Sequence, residues 1–327
     1  MTWLVTGGAG YIGSHVVRAF AAAHLVPVVL DDLSTGRAEF IPSGVPFVRA
    51  SVLDTDAVEA ALRELDVTGV VHCAGYKFAG ESVKRPLHTW RQNVGGTESL
   101  LAAMETVGVT ALVFSGSAAV YGTPREELVT EATPDGPESP YGESKLAAEL
   151  LIRGQAAATA STEMPLRQTS LRYFNVIGSG DPHVYDTSPY NLLPRVFAGL
   201  VAGRAPVISG GDYPTPDGTC VRDYVDVGDL ALAHVEAAQA LAVDRALAAV
   251  YNLGSGAGTS VREVMDAIVE VTGTDLKPEV GPRRPGDPAR IVADGSLAAR
   301  DLGWAMRHSV RDMVASAWAA HPKASPN

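Results

Sequence analysis

The sequence has few cysteines and few basic residues for its length, and both shortages restrict its function. It contains two cysteines in 327 residues, Cys73 and Cys220, each beside apolar neighbours. We expect small core residues rather than a disulfide or a metal pair, which suits a reducing cytoplasm. Lysine and arginine together number 26 against 37 acidic residues, a formal net charge of −11. Because binding to a phosphate backbone needs a basic face, this balance argues against a nucleic-acid partner.

Long apolar runs are also missing. Charge, glycine or proline interrupts each apolar stretch before it reaches the roughly 20 residues needed to cross a bilayer, so we expect no membrane partner. The first predicted strand begins at Thr2 or Trp3, and we therefore expect no signal peptide. Apolar residues still make up 46% of the chain and charged residues 19%, an ordinary composition for a cytoplasmic protein of one or two domains.

A glycine-rich turn near the start is the most informative stretch. Residues 3–13 read WLVTGGAGYIG, an apolar run with glycines at 7, 10 and 13, and an amphipathic segment follows over 14–23. This pattern predicts a buried strand, a tight turn and a helix. Gly7 permits the turn, Gly10 lets backbone N–H groups approach a phosphate, and Gly13 lets the helix pack on the strand. Since a helix N-terminus attracts anions, the stretch predicts a dinucleotide site.

Apolar runs and helical patterns alternate through the first half of the chain. The predicted strands lie at 26–30, 47–48, 70–75 and 111–115, and the predicted helices at 56–65 and 94–106. This alternation predicts an α/β fold, a doubly wound parallel Rossmann sheet with right-handed crossovers. Ligands of such sheets bind beyond the carboxyl ends of the strands.

The second half indicates a smaller α/β lobe, because its composition shifts to glycine, proline and aspartate from about Ile177. We expect strands at 171–175, 205–209 and 250–253, and helices at 146–153, 225–239 and 261–271. The predicted division is a cofactor domain over 1–176, with return segments at about 225–253, and a substrate lobe over 177–327. Residues 323–327 are expected to fray.

Two aspartates, Asp31 and Asp32, end the second predicted strand about 20 residues beyond the glycines. A carboxylate at this place accepts hydrogen bonds from the ribose hydroxyls of a dinucleotide. It also repels the additional phosphate of NADP, so the sequence favours NAD. Arg37 weakens that preference, although a solvent-facing role suits it better.

Three further polar residues predict acid–base chemistry at the cofactor edge. Ser117 follows the strand at 111–115; taken alone, it is as well explained as a cap or turn residue. Tyr141 and Lys145 are four residues apart at the start of a predicted helix and share a face. A nearby ammonium, with the positive charge of an oxidised nicotinamide, is expected to lower the tyrosine pKa from about 10. That would make Tyr141 a usable general base near neutral pH.

These residues resemble the extended short-chain dehydrogenase/reductase family, and within it the UDP-hexose 4-epimerases. The similar stretches are TGGAGYIGSH, LDDLSTG, AGYKFAGESV, ESVKRP, QNVGGT, FSGSAAVYG, SPYGESK, LRYFNVIG, GDYPTPDGTCVRDYVDV, YNLGSG and PRRPGD. They cover almost the whole chain, and several are longer and rarer than a generic cofactor motif.

The resemblance implies an isomerase with Ser117, Tyr141 and Lys145 as its catalytic set. Tyr141 would take the proton of the sugar 4-hydroxyl as hydride leaves C4 for NAD, and a transient 4-keto sugar would regain the hydride on its other face. Ser117 would bridge the hydroxyl, and Lys145 would hold the nicotinamide ribose. The resemblance further implies tightly bound NAD, a UDP-sugar substrate, a homodimer and no metal.

It also implies two sets of binding residues. The NAD contacts would be Gly7, Gly10, Tyr11, Ile12, Gly13, Asp31, Asp32, Thr35, Gly36, Ser51, Val52, Cys73, Ala74, Gly75, Lys77, Asn93, Ser115, Tyr141, Lys145 and Tyr173. The UDP-sugar contacts would be Lys77, Ser117, Tyr141, Phe174, Asn175, Asn191, Leu192, Val207, Ser209, Arg222, Tyr224, Arg284, Asp287 and Ile291. Arg222 and Arg284 are assigned to the diphosphate, because a guanidinium matches phosphate oxygens bidentately.

Departures from the family pattern leave the sugar open. Ser51 replaces an acidic residue that often contacts the adenine amine, and Ile291 is intermediate in size where the family has a tyrosine or a small residue. UDP-glucose and UDP-galactose are the simplest substrates; UDP-N-acetylglucosamine and, through Arg290, UDP-glucuronate are alternatives. Ala118 and Ala119 replace the Asp-Glu pair of 4,6-dehydratases, which argues against dehydration. A net dehydrogenase and a catalytically silent NAD-binding regulator are further hypotheses.

Overall fold

A computed structural model describes residues 1–284 and 287–322 of the chain. Its strands are β1 (Thr2–Thr6), β2 (Val26–Leu30), β3 (Phe47–Val48), β4 (Val67–His72), β5 (Ala111–Ser115), β6 (Arg167–Tyr173), β7 (Asn175–Ile177), β8 (Val207–Ser209), β9 (Val221–Arg222), β10 (Tyr224–Asp226), β11 (Val250–Leu253), β12 (Thr259–Ser260), β13 (Glu279–Gly281) and β14 (Arg290–Ile291). Its α-helices are α1 (Tyr11–Ala22), α2 (Thr55–Glu64), α3 (Ala79–Lys84), α4 (Pro86–Trp90), α5 (Gly96–Val107), α6 (Pro140–Thr159), α7 (Leu192–Val201), α8 (Val227–Ala242), α9 (Val261–Thr272), α10 (Ser296–Leu302) and α11 (Val310–Ala320). Short 3₁₀ turns lie at Ala38–Phe40 and Ala118–Tyr121, and a π-helical turn at Arg91–Gly95 joins α4 to α5.

Seven parallel strands form the main sheet in the order β11-β6-β5-β4-β1-β2-β3. The chain runs outward from β1 to β3 and then returns to β4 on the other side of β1. This reversal opens a crevice at the carboxyl ends of β1 and β4, where ligands of such sheets bind. The predicted doubly wound fold is therefore confirmed.

Helices cover both faces of this sheet, as the alternation of side chains along β1 requires. Trp3 and Val5 pack on one face with the apolar sides of α1 and α8. Leu4 points to the other face and packs with apolar residues of α2, α5 and α6. Because both faces are buried, the strands are nearly continuous apolar runs, as expected for a parallel sheet.

The smaller lobe contains three short strand groups, β7 with β10, β8 with β13, and β12-β9-β14. Its core joins Phe197 of α7, Ile208 of β8, Val264 and Met265 of α9 and Met313 of α11. The chain enters this lobe directly after β6, at β7, and leaves it through α8, which packs on α1; β11 then pairs with β6 at the edge of the main sheet. The lobe is thus placed beside the carboxyl end of β6.

Several predicted elements have different bounds in the structure. The predicted helix at 146–153 is the central part of the longer α6, which already begins at Pro140, and the predicted strand at 70–75 is β4, which ends at His72. The predicted helix at 225–239 is wrong at its start, since β10 extends to Asp226, whose side chain caps α8 by accepting from the backbone N–H groups of Gly228 and Asp229. The predicted strand at 171–175 is divided at Phe174, because β6 joins the main sheet and β7 pairs with β10. The predicted strand at 205–209 shortens to β8. Residues 323–327, predicted to fray, lie outside the described residues.

Across residues 1–284 and 287–322, none of the helices combines the length and apolar character needed to cross a bilayer.

Candidate active site

A cavity of about 840 Å³ extends from the glycine turn after β1, along the carboxyl ends of the main sheet, into the smaller lobe. Most of the predicted binding residues line it. These are Gly7, Gly10, Tyr11, Ile12, Gly13, Asp31, Asp32, Thr35, Ser51, Val52, Cys73, Ala74, Gly75, Lys77, Ser117, Tyr141, Lys145, Tyr173, Phe174, Asn175, Asn191, Leu192, Val207, Ser209, Arg222, Tyr224, Arg284 and Asp287. The volume is within the range of cofactor and ligand sites.

The glycine turn fits a dinucleotide diphosphate. Gly7 has a φ of 69°, which favours glycine, and its carbonyl accepts a hydrogen bond from the Gly10 N–H at 3.0 Å. A Cβ on Gly13 would lie 2.2 Å from the Gly7 oxygen, so the helix approaches the turn more closely than any side chain allows. The N-cap residue of α1 is Gly10, which has no side chain to cap the helix. N–H groups of the first turn are therefore available to an anion.

The carboxylate of Asp31 is held at the end of β2 by two backbone N–H groups. Ala9 donates to Oδ2 at 3.0 Å and Leu33 to Oδ1 at 2.8 Å. Burial raises the pKa of Asp31, and these hydrogen bonds oppose the rise. Because each carboxylate oxygen accepts more than one hydrogen bond, Asp31 can still receive a ribose hydroxyl. Gly36 lies behind it, where a Cβ would come within 2.7 Å of Oδ1.

The three predicted catalytic residues line the same part of the cavity. Ser117 precedes a 3₁₀ turn, and its Oγ accepts from the Ala119 N–H at 3.2 Å, so it is also a cap residue. Tyr141 lies in the first turn of α6, where its N–H donates to Ser82 Oγ at 3.1 Å. Lys145, one turn later, donates from Nζ to the Ser115 carbonyl at 3.0 Å.

The pKa values of this group are set mainly by burial. Burial raises the pKa of Tyr141, and its interaction with the Ser117 hydroxyl lowers it. Burial also lowers the pKa of Lys145, to about 8. In the protein alone burial therefore dominates and the Tyr141 pKa is raised. The predicted lowering includes the charge of an oxidised nicotinamide and stays a prediction. A phenolate near neutral pH needs the further positive charge of an oxidised nicotinamide.

Two predicted NAD contacts, Asn93 and Ser115, support the wall of the cavity instead of lining it. Asn93 lies in the π-helical turn, a feature often found at functional sites; its Oδ1 accepts from the Tyr76 N–H at 2.6 Å and its Nδ2 donates to Ser144 Oγ at 2.8 Å. It thereby connects the chain after Gly75 to helix α6. The Ser115 hydroxyl is buried, 3.0 Å from both Cys73 Sγ and His234 Nε2.

Ile291 also lies behind the wall. It packs against the cluster of Val120, Tyr121 and Val129, as Phe174 does, and of these two residues only Phe174 lines the described cavity. A direct contact of Ile291 with a sugar therefore stays a prediction.

The cations at the small-lobe end are partly paired within the protein. Arg222 donates from Nη2 to Asp287 Oδ1 at 2.6 Å, so a residue assigned to the diphosphate is paired with another of the predicted UDP-sugar contacts. Arg284 lines the cavity beside them. Of the PRRPGD stretch, Pro285 and Gly286 lie outside the described residues.

Sequence reasoning missed a second group of lining residues. They are Leu30, Ser34, Ala50, Tyr76, Phe78, Arg85, His88, Gln92, Val176, Ile177, Thr187, Tyr190, Cys220 and Val261. Several are aromatic and flank Lys77 or Asn191, which were predicted. The sequence could have indicated these residues, because pockets are lined mainly by apolar and aromatic groups and aromatic residues stand next to the predicted polar contacts.

Among the described residues, Asp226, Asp229 and His308 place potential metal-ligand atoms within 4.8 Å of one another. Asp226 caps α8, and Asp229 accepts from His308 Nδ1 through Oδ2 at 3.0 Å, while its buried Oδ1 has no hydrogen-bond partner in the described part of the chain. None of the three lines the described cavity. The predicted absence of a metal site stays a prediction.

A Rossmann crevice, a strand-end serine, a Tyr-x-x-x-Lys helix start and a second lobe with arginines define a dinucleotide-dependent enzyme of the short-chain dehydrogenase/reductase type. The family model of the NAD dependent epimerase/dehydratase family matches residues 3–254, and the chain belongs to that family.

Relatives match the chain over its full length. The UDP-glucose 4-epimerase of Streptomyces lividans is 43% identical and covers 98% of this chain and 97% of its own. The solved UDP-glucose 4-epimerase from Stenotrophomonas maltophila, with bound NAD and formylated UDP-arabinopyranose, is 38% identical over 97% of each chain, with a TM-score of 0.91. The Bifidobacterium longum enzyme in complex with NAD⁺ and UDP is 35% identical over 99% of this chain and 100% of its own, with a TM-score of 0.89. These comparisons confirm the predicted family, the NAD cofactor and the isomerase class.

Proposed function

We propose that the protein interconverts UDP-glucose and UDP-galactose by inverting C4 of the sugar, with NAD retained through each turnover. The observation that carries this proposal is that Ser117, Tyr141 and Lys145 share one cavity with the small-lobe arginines Arg222 and Arg284. An acid–base group at one end and cations at the other suit a sugar joined to a diphosphate.

The protein's own residues would position the sugar and move one proton. Bound NAD supplies reversible storage of a hydride. With the charge of oxidised NAD beside it, Tyr141 would act as a phenolate: it would take the proton of the 4-hydroxyl, becoming a phenol, and later return that proton, while the Ser117 hydroxyl would bridge the two oxygens. Lys145 stays bonded to the Ser115 carbonyl and presents its charge to the nicotinamide ribose. The substrate turns over between the two half-reactions, so no net redox change occurs.

The relatives support a substrate with a uridine diphosphate group, since two of them are solved with UDP or a UDP-sugar. We assign the diphosphate to Arg222 and Arg284 and the uridine to the walls formed by Val207, Ser209 and Asp287. We assign the adenine of NAD to the part of the cavity lined by Ser51, because the family resemblance places the adenine contact at this position.

The alternative sugars differ in support. Arg290, the residue that would have favoured a uronate, does not line the described cavity, so the argument for UDP-glucuronate loses its support. UDP-N-acetylglucosamine is the second candidate, because Ile291, at the position that sets sugar size in the family, packs against Val120, Tyr121 and Val129 and does not line the described cavity. Ala118 and Ala119 offer no acid or base, which argues against dehydration.

We also propose a cytoplasmic homodimer. Val83, Leu87 and Trp90 on α3 and α4 are 63%, 86% and 40% exposed, and Leu150 on α6 is 53% exposed. Helix α4 packs against α6, so these apolar side chains lie on adjoining helices that a two-fold partner would cover. Both cysteines are free thiols, which suits a reducing compartment.

The deciding experiment has two steps. A denaturing extract of purified protein is assayed for dinucleotide, and the native protein is then incubated with UDP-galactose, UDP-N-acetylglucosamine and UDP-glucuronate. We expect retained NAD and the highest kcat/KM on UDP-galactose. Steady release of NADH would indicate a net dehydrogenase, and bound NAD without turnover of any sugar would indicate a regulator.

A further inference from the structure

Two side chains that follow β4 contact a short segment of the smaller lobe across the cavity. Lys77 Nζ lies 3.7 Å from Asp186 Oδ1, and the ring of Phe78 meets the ring of Tyr190 edge to face, with centroids 5.2 Å apart. We call these four residues the clasp. Lys77 thus contacts the first residue of the segment 186–190, and its neighbour Phe78 contacts the last.

The clasp lies at the catalytic end of the cavity. A Cβ on Gly75 would be 3.9 Å from Lys145 Nζ, so the chain leading to Lys77 and Phe78 passes that lysine. Helix α3 begins directly after Phe78 and supplies Ser82, which accepts the Tyr141 N–H. The small-lobe arginines that we assign to the diphosphate belong to β9 and to the chain after β13, on other elements.

Asp186 connects Lys77 and Asn191, two residues that were predicted to contact the UDP-sugar. Its Oδ2 accepts from Asn191 Nδ2 at 2.6 Å, and its Oδ1 accepts from the Ser188 N–H at 3.0 Å and faces Lys77. The side chain of Asp186 is 10% exposed, whereas that of Lys77 is 40% exposed. Because a half-exposed ion pair contributes little free energy, the role of Asp186 is to orient Asn191 and Lys77 toward the cavity.

The aromatic contact closes the wall beside this polar group. Phe78 also packs edge to face against Tyr76, and Tyr76 against His88, with centroid distances of 5.3 and 4.9 Å. Tyr76, Phe78, His88 and Tyr190 all line the cavity. Tyr190 is half exposed, so this contact lies where the cavity meets solvent.

We propose that the clasp confines the sugar: Phe78 and Tyr190 form a wall over the hexose, and Asp186 is a positioning residue that holds Lys77 and Asn191 against it. The inference rests on the proposed function and adds the residues that select and retain the hexose part of the substrate. It predicts that the clasp acts on the sugar and leaves binding of the nucleotide unchanged.

The test compares two ligands, UDP and UDP-glucose, by calorimetric titration of the NAD-loaded protein. A Tyr141→Phe background prevents turnover during the titration. Phe78→Leu and Tyr190→Leu are each expected to raise the Kd of UDP-glucose by about 3- to 10-fold, the range of an aromatic pair, with the Kd of UDP unchanged. The Kd of UDP-glucose in the double variant should be no higher than in the single variant that binds it less tightly, since each substitution removes the same contact between the two rings. Asp186→Asn should likewise weaken UDP-glucose alone.

The residues just before this segment supply matched controls. Tyr185 stacks edge to face on Phe40 with centroids 5.3 Å apart, and Asp181 accepts from Arg18 at 2.7 Å; neither residue lines the cavity. Tyr185→Leu and Asp181→Asn should bind both ligands like the parent protein, and thermal melting and NAD content verify folding of every variant.

The outcomes separate this inference from the proposed function. An unchanged Kd of UDP-glucose in the double variant, or an equal loss for UDP, would overturn the clasp. Wild-type protein that binds UDP-glucose without epimerising it would overturn the proposed function alone, and failure to bind UDP-glucose would overturn both.

Discussion

The spacing of Tyr141 and Lys145 was predicted correctly, but the surroundings of the two side chains determine their pKa values. Their spacing on one helix face and the nearness of Ser117 could be predicted, because a four-residue interval on a helix fixes the geometry. The direction of the tyrosine pKa in the protein alone could not be predicted, since it depends on how deeply the fold buries the phenol, and burial outweighs the interaction with the Ser117 hydroxyl. In the protein alone, Tyr141 is a protonated phenol at neutral pH.

Replacing Tyr141 by phenylalanine removes the hydroxyl and keeps the ring. Because the hydroxyl is the proposed proton carrier, kcat should fall by about 10²–10⁴-fold, the usual range for losing a general acid or base. The melting temperature and the NAD content of a denaturing extract should not change, since Tyr141 contacts α3 through its backbone N–H. Turnover at the wild-type rate would remove Tyr141 from the mechanism.

At the scale of an element, the strand–turn–helix unit of β1 and α1 was the most predictable part of the fold. The glycine spacing specified both the turn and the close packing of helix on strand, and the structure has both. The break after β6 was less predictable: residues 171–175 were predicted as one strand, and the change of sheet at Phe174 depends on pairing with β10, far along the sequence. Local patterns carry no information on such distant partners.

Substituting Gly13 by alanine tests this unit. A Cβ would lie 2.2 Å from the Gly7 oxygen, so α1 must move away from the turn. We expect loss of retained NAD and a free energy of unfolding lower by about 1–3 kcal/mol, the usual range for overpacking. Urea denaturation and dinucleotide extraction measure both effects.

Gly154 provides the matched control, because it is an exposed position in α6 where a Cβ would meet nothing within 4 Å. Gly154→Ala should raise the free energy of unfolding by about 0.5–1 kcal/mol and leave NAD in place. Normal NAD retention in Gly13→Ala would contradict the assigned role of the turn.

A buried ion pair joins α6, the helix of Tyr141, to β6. Glu149 is fully buried and accepts from Arg172 Nε and Nη2, the latter at 2.6 Å, and Arg172 also reaches Asp135. No sequence pattern indicated this pair, because its members are 23 residues apart on different elements. It fixes the helix that carries the catalytic residues against the sheet.

Glu149→Leu should therefore be costly, since it leaves the Arg172 charge buried without its main partner. We expect the free energy of unfolding to fall by about 3–5 kcal/mol. The double variant Glu149→Leu/Arg172→Met removes both charges and should recover most of the loss, because apolar replacements of buried pairs are often neutral. Equal losses in both variants, measured by urea denaturation, would show that packing rather than charge is responsible.

At the scale of the whole molecule, the chain crosses between its two parts several times. Strand β11 returns to the main sheet and α8 packs on α1, as the predicted return segments near 225–253 require. The division at residue 176 stays a prediction. The cavity between the parts could be predicted only as two separate residue sets; the clasp residues Phe78 and Tyr190 were missed because their contact joins segments more than 100 residues apart.

Three buried histidines link stability of the whole molecule to pH. Burial lowers the pKa of His72 to about 3, and of His15 and His234 to about 4. The unfolded chain binds protons at these residues below about pH 6.5, whereas the folded protein does not. His308, whose pKa Asp229 raises, is protonated in both states over this range.

Stability should therefore fall as pH falls from about 6.5 to about 4. Each histidine contributes about 1.4 kcal/mol per pH unit once the unfolded form is protonated, so the three give a slope of about 4 kcal/mol per unit near pH 5. Urea denaturation at a series of pH values measures this slope. His234→Gln should reduce it by about a third, because one of three such groups is removed, while His183→Gln, at an exposed site, should leave it unchanged. A free energy of unfolding that stays constant between pH 6.5 and 4.5 would mean that these histidines are protonated in the folded protein, and their hydrogen bonds to Thr6, Tyr11 and Ser115 would then have to be reassigned.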